Sequence, residues 1–116
     1  SAWHLLSMVF RPEAAGCDLA TYRARLAALG ADSFRYIPVP IHRLARLNPH
    51  GYSGPRVFWH EQLRRAGVDY RTCSCPHAEW RAEREFTMGF NWTVDDPAAM
   101  HRLADALFAA LPTARS

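Results

Sequence analysis

Four constellations in this chain have residue types and spacings that bear on chemistry. Cys73, Cys75 and His77 stand in a C-x-C-x-H arrangement, with Cys17 and five other histidines elsewhere. Zinc takes four soft or borderline ligands, usually as two spaced pairs. This chain offers one tight cluster, and Pro76 opening a helix accounts for the same residues without metal. Cys75, just ahead of that helix, is also placed for activation by the helix dipole. Its nearest histidine, His77, is two residues on and badly placed as a base, and no glycine-rich oxyanion motif accompanies it. Glu79, Glu83 and Glu85 alternate with Arg81 and Arg84, the pattern of a solvated helix face carrying i,i+4 ion pairs.

The fourth constellation is RYIPVPIHRLARLNPHGYS, residues 35–53. Pro38 and Pro40 remove two backbone donors and fix two φ angles, and they push Ile37 and Val39 towards extended geometry. A stiffened segment thus leads directly into His42. Either His42 is a polar side chain satisfied at a loop edge, or the segment presents it to a molecule outside this chain. No Walker loop, G-x-G-x-x-G or G-x-S-x-G motif is present.

The elements that must position these residues follow from periodicity. WHLLSMVFR (3–11) is an apolar run stopped by Arg11-Pro12 and reads as a buried strand. EAAGC reads as a loop. Asp18 then caps LATYRARLAALG, whose stripe is Leu19, Tyr22, Leu26 and Leu29 and whose stop is Gly30. SFRYI (33–37) is a second strand ended by Pro38. Residues 38–56 form a long ordered loop with a helical turn in IHRLARL, and long structured loops in compact domains are often functional. Helices follow from Pro55 to Gly67 and from Pro76 through HAEWRAERE. FTMGFNWTV is a third strand, and Asp95-Asp96-Pro97 opens a last helix with Met100, Leu103, Leu107 and Leu111 on one stripe. This order predicts an α/β fold, a small sandwich with a short sheet and helices mainly on one face, in a single domain over residues 1–116.

Composition narrows the function classes. Hydrophobic residues are 49% and charged residues 22%, which is an ordinary globular balance. No stretch approaches the ~20 apolar residues of a membrane span, so no membrane partner is expected. All 14 basic residues are arginine. They are dispersed without a basic block, which argues against nucleic acid. The missing lysine has a sharper consequence: this chain cannot form a lysine Schiff base. Three cysteines, an odd number, fit a reduced cytoplasmic setting better than a disulfide scaffold. The start at Ser1 instead of Met reads as a trimmed or tagged chain.

Taken in order, the pieces resemble one family. GADSFRYIPVPIHRLARLNPHGY is similar to the segment G-I-x-T-x-x-H-Y-P-x-P-L-H-x-x-P-x-x-x-x-G-Y of the DegT/DnrJ/StrS family of pyridoxal-phosphate-dependent sugar aminotransferases. CPHAEWRAEREFTMGFNWTVDDPAAMHRLADAL resembles that family's closing pattern, in which C-P-x-A-E opens a helix before a strand, an acidic turn and a final helix. WHLLSMVFRPEAAGCDLATYRARLAALG resembles the start of its C-terminal small domain. The resemblance covers essentially the whole chain and is nearest the branch that makes amino-cyclitols and aminohydroxybenzoate in antibiotic pathways.

The resemblance implies the C-terminal small-domain fold of fold type I enzymes and an active site completed by another polypeptide. In the family, the large domain holds pyridoxal phosphate (PLP) and its lysine, and the small domain closes one side of the site. This chain is therefore expected to be the small subunit, or the separated C-terminal domain, of a heteromeric enzyme whose larger subunit carries PLP. The substrate would be a sugar or cyclitol. His42, Tyr36 and Arg35 are the expected substrate-binding residues, and Pro38 and Pro40 the rim of the site. No catalytic residue and no metal ligand is expected here. Tyr36 stands where the family usually has histidine and Ile37 where it usually has tyrosine. Those departures keep a second expectation open, that of a non-catalytic interaction or regulatory module derived from the domain. A zinc-binding protein is the third.

Overall fold

The computed structural model describes residues 5–55, 57–89 and 96–112. The fold is mixed α and β, with a two-stranded antiparallel sheet. The chain gathers into two compact units, residues 1–36 with 84–116, and residues 37–83. No helix among the described residues is long and apolar enough to cross a membrane.

In the first unit, β1 (Leu5–Val9) pairs with β2 (Glu85–Gly89), with Ser7 opposite Thr87 and Met8 opposite Phe86. Alternation sends Met8, Phe86 and Met88 to one face. They pack there with Tyr22 and Leu26 of α2 (Leu19–Ala28) and with Leu103 and Ala106 of α5 (Pro97–Ala109). Phe10 stacks on Tyr22 at 4.7 Å between centroids, and Phe86 meets the same ring edge-on at 5.7 Å. The Tyr22 hydroxyl donates to the Leu107 carbonyl at 2.9 Å, so the ring is buried with its polar end satisfied. Burial pushes the Tyr22 phenol above its ordinary pKa.

The starts of α2 and α5 are those expected from sequence. Asp18 accepts from the Thr21 N–H at 2.7 Å, and Asp96 from the Ala99 N–H at 3.0 Å with Pro97 at the first position. α2 ends where Gly30 takes φ +77°, a conformation that favours glycine. Residues read as a loop after Arg11 instead make a one-turn helix, α1 (Pro12–Ala15), closed by Gly16 at φ +69°.

The expected second strand, SFRYI, shrinks to one rung. Phe34 exchanges both backbone hydrogen bonds with Thr87, at 2.9 and 2.7 Å, on the edge of β2 away from β1. Pairing stops there because Arg23 takes the Ser33 carbonyl and hydroxyl, and because the backbone bends at Tyr36 and Ile37 before Pro38. The third expected strand begins at Glu85 and is described to Gly89; its remaining residues, and Asp95, lie outside the described residues.

The second unit has little regular structure. The 3-10 turns Ile41–Arg43 and Ala45–Leu47 follow the Pro38–Pro40 segment. The helix expected from Pro55 begins four residues later, as α3 (Trp59–Arg65), with Gly67 at φ +66° after it. A third 3-10 turn, Tyr70–Thr72, leads through Cys73 and Cys75 into α4 (Pro76–Arg84). That turn is braced by Asp69, which accepts from the Arg71 N–H at 2.9 Å and from its guanidinium at 2.7 Å. The Arg71 guanidinium holds the Asp69 carboxyl at about 2.

Candidate functional site

His42 is the one buried side chain between Ile37 and Leu44. Pro40, at φ −64° and ψ 149°, delivers the chain in extended form to the turn Ile41–Arg43. The turn then places His42 and Arg43 against the first turns of α4. The His42 Nε2 lies 2.7 Å from Glu79 Oε1, Arg43 donates to the same oxygen at 3.1 Å, and the Cys75 N–H approaches it at 3.4 Å. Three donors therefore converge on one carboxylate oxygen.

This convergence fixes the chemistry of the cluster. Glu79 sits below the ordinary carboxylate pKa of 4.5, chiefly because His42 hydrogen-bonds to its charged form, with Arg43 and the Cys75 N–H adding to the effect. An ionised carboxylate can only accept, so the imidazole proton is on Nε2. The Cys75 N–H to Glu79 contact works like a capping box, shifted one residue into the helix. Arg43 and Glu79 are partly exposed, so this ion pair contributes little to stability by itself. Its effect is on where His42 is held.

A shallow cavity of about 340 Å³ adjoins the cluster, lined by Pro38, Val39, Pro40, Arg43, Glu79 and Ala82, with Glu83 at its margin. Of the expected site residues, Pro38 and Pro40 line this cavity; His42 does not line it and instead contacts Glu79. Tyr36 and Arg35 belong to the first unit. There Tyr36 is exposed, with its ring edge-on to Phe34 at 6.4 Å, and Arg35 is half-buried.

Glu79 was read from sequence as one member of a solvated acidic face, and the structure makes it the hub. The signal was in the C-P-x-A-E pattern, where the glutamate follows the helix-opening proline at a fixed distance. His60 carried no such signal. It is buried, donates from Nε2 to the Arg46 carbonyl at 2.7 Å, and packs edge-on against Tyr52 at 5.2 Å between ring centroids. With Tyr52, Val57, Phe58, Glu61 and Arg64 it lines a second concavity of about 670 Å³. Trp80 is exposed and Trp59 half-buried against Phe58 and Arg46. Phe90 and Trp92 lie outside the described residues.

Cys75 is not an activated nucleophile. Cys73 and Cys75 Sγ atoms are 3.9 Å apart. The Cys75 thiol is pushed above its ordinary pKa by that hydrogen bond first, then by burial and by the negative charges of Cys73 and Glu79. His77 is exposed on α4. Among the described residues no group of three or more histidine, cysteine or acidic side chains is arranged to hold a metal ion.

The lowered Glu79 sets a pH dependence. A carboxyl whose folded pKa is depressed stabilises the fold above its ordinary value, and that contribution is lost as pH falls through the folded pKa. The His42 contact should therefore persist at pH 4.5 and loosen only in more acid solution. Following the Glu79 carboxyl carbon by NMR should give a midpoint below 4.5, and His42→Ala should raise it. An unmoved midpoint in that variant would rule out His42 as the main cause.

Comparison of the chain with protein-family models, with curated proteins and with solved structures finds no match.

Proposed function

We propose that this chain is the small subunit, or the separated C-terminal domain, of a heteromeric PLP-dependent aminotransferase-like enzyme of natural-product biosynthesis. Its larger partner would carry the cofactor and act on a sugar or cyclitol. The observation that carries this reading is the inverted polarity of residues 37–44. His42 is buried on Glu79, whereas Ile37, Val39, Ile41 and Leu44 are exposed, Ile41 by 69%. A monomer gains nothing from turning its imidazole inward and its aliphatics outward. A segment that forms the rim of a site shared with another polypeptide does gain, because those aliphatics become contact surface. The sequence resemblance assigns this same segment to a rim, with Pro38, Pro40 and His42 in the matching positions. Support for the small-domain fold comes from the helices α2 and α5 on one face of the β1–β2 sheet.

The cofactor does not fit this chain alone. With no lysine among 116 residues it has no group to hold the cofactor aldehyde, so PLP belongs to the partner and no chemical step is assigned to residues here. The role left to this chain is orientation of substrate and exclusion of water. The departures at Tyr36 and Ile37 favour the second reading, a non-catalytic module derived from the same domain.

Co-purification from the native host distinguishes these. A larger protein should co-elute in fixed proportion, and the eluate should show the visible absorbance of lysine-bound PLP. A chain that elutes alone and colourless at working concentration sinks the subunit reading.

A further inference from the structure

We propose that Cys73 and Cys75 are a dithiol that closes reversibly to an intramolecular disulfide by exchange with a low-molecular-weight disulfide, and that closure acts on the Glu79 cluster. The Sγ atoms stand 3.9 Å apart across one intervening residue. A disulfide needs about 2.05 Å, so the sulfurs must draw together through both side-chain rotation and movement of the Cys73–Cys75 backbone. Both thiols are half-buried and Ser74 between them is exposed, which leaves the pair within reach of a small reagent. The backbone on either side is held. Cys73 leaves the Asp69-braced turn in extended form, at φ −75° and ψ 134°, and Pro76 fixes the first position of α4. Cys17, the remaining cysteine, packs against the core of the first unit.

The exchange balances. Cys73 loses its proton to solvent and attacks the reagent disulfide as the thiolate. A protein–reagent mixed disulfide forms and one thiolate leaves, taking the Cys75 proton. Cys75 sulfur then attacks Cys73 sulfur and expels the second thiolate, which is protonated from solvent. One reagent disulfide is reduced to two thiols, and two protein thiols are oxidised to one disulfide. The link to Glu79 is the Cys75 N–H, which approaches Oε1 at 3.4 Å. Drawing Cys75 towards Cys73 moves that donor.

The test uses the purified chain in glutathione buffers of graded oxidised-to-reduced ratio, acid-quenched, alkylated and digested with trypsin. Cleavage after Arg71 and Arg81 puts both cysteines in one peptide. In oxidising buffer this peptide should be lighter than its dithiol form by two hydrogen atoms and carry no glutathione. Cys17 should remain open to alkylation. Cys75→Ser should stop at a glutathione adduct on Cys73. A wild-type chain that keeps both thiols alkylatable, or that accumulates glutathione adducts without closing, overturns the proposal. A closed disulfide with an unmoved Glu79 carbon midpoint overturns the link to the cluster.

Discussion

Leu26→Ala is expected to lower the melting temperature by roughly 12–24 °C. Leu26 is fully buried among Phe10, Tyr22, Phe86 and Met88. Truncating such a leucine loses its transfer free energy and leaves a cavity that neighbours close only in part, about 3 kcal/mol in total. For a chain of this size, each kcal/mol corresponds to about 4–8 °C. Leu29→Ala is the control. It shares the predicted stripe of α2, yet Leu29 is 51% exposed, so its substitution should stay within about 0.5 kcal/mol of the parent. Tyr22 belongs to the same core, and its near-ultraviolet signal reports melting of that unit. Equal shifts for the two variants would mean that Leu26 does not hold the core.

The contrast between Leu26 and Leu29 shows how far the sequence could be read. Period and capping placed α2, α4 and α5, because Asp18, Pro76 and Asp96-Pro97 act on their own neighbours. Which stripe residues are buried depended on where the helix stops. Leu29 is the C-cap of α2, and Gly30 turns the chain away. Strand pairing was less legible for the same reason. The β propensity of SFRYI was real, but the Ser33 carbonyl had a competitor in Arg23, and no local pattern announces that contact. In the site, the rigid entry to His42 was readable from Pro38 and Pro40. Its partner was not, since Glu79 lies 37 residues on and its spacing also fits an exposed helix face. A long-range pair of this kind leaves a trace in sequence only through a motif, here C-P-x-A-E.

The largest functional effect is expected at His42, and it rests on the proposed role of this chain. In a complex reconstituted with the larger subunit, His42→Ala should lower kcat by about 100-fold, the scale on which a misplaced substrate or rim costs turnover. Glu79→Gln separates positioning from charge. Glutamine keeps an oxygen that can accept from Nε2–H but removes the carboxylate charge, so the imidazole stays in place. That variant should change kcat by only about 10-fold. Glu79→Ala removes the acceptor as well and should approach His42→Ala. If both His42→Ala and Glu79→Ala weaken assembly while the assembled complex turns over at the parent rate, His42 belongs to an interface. The departures at Tyr36 and Ile37 would then mark a domain that has kept the rim and given up the site.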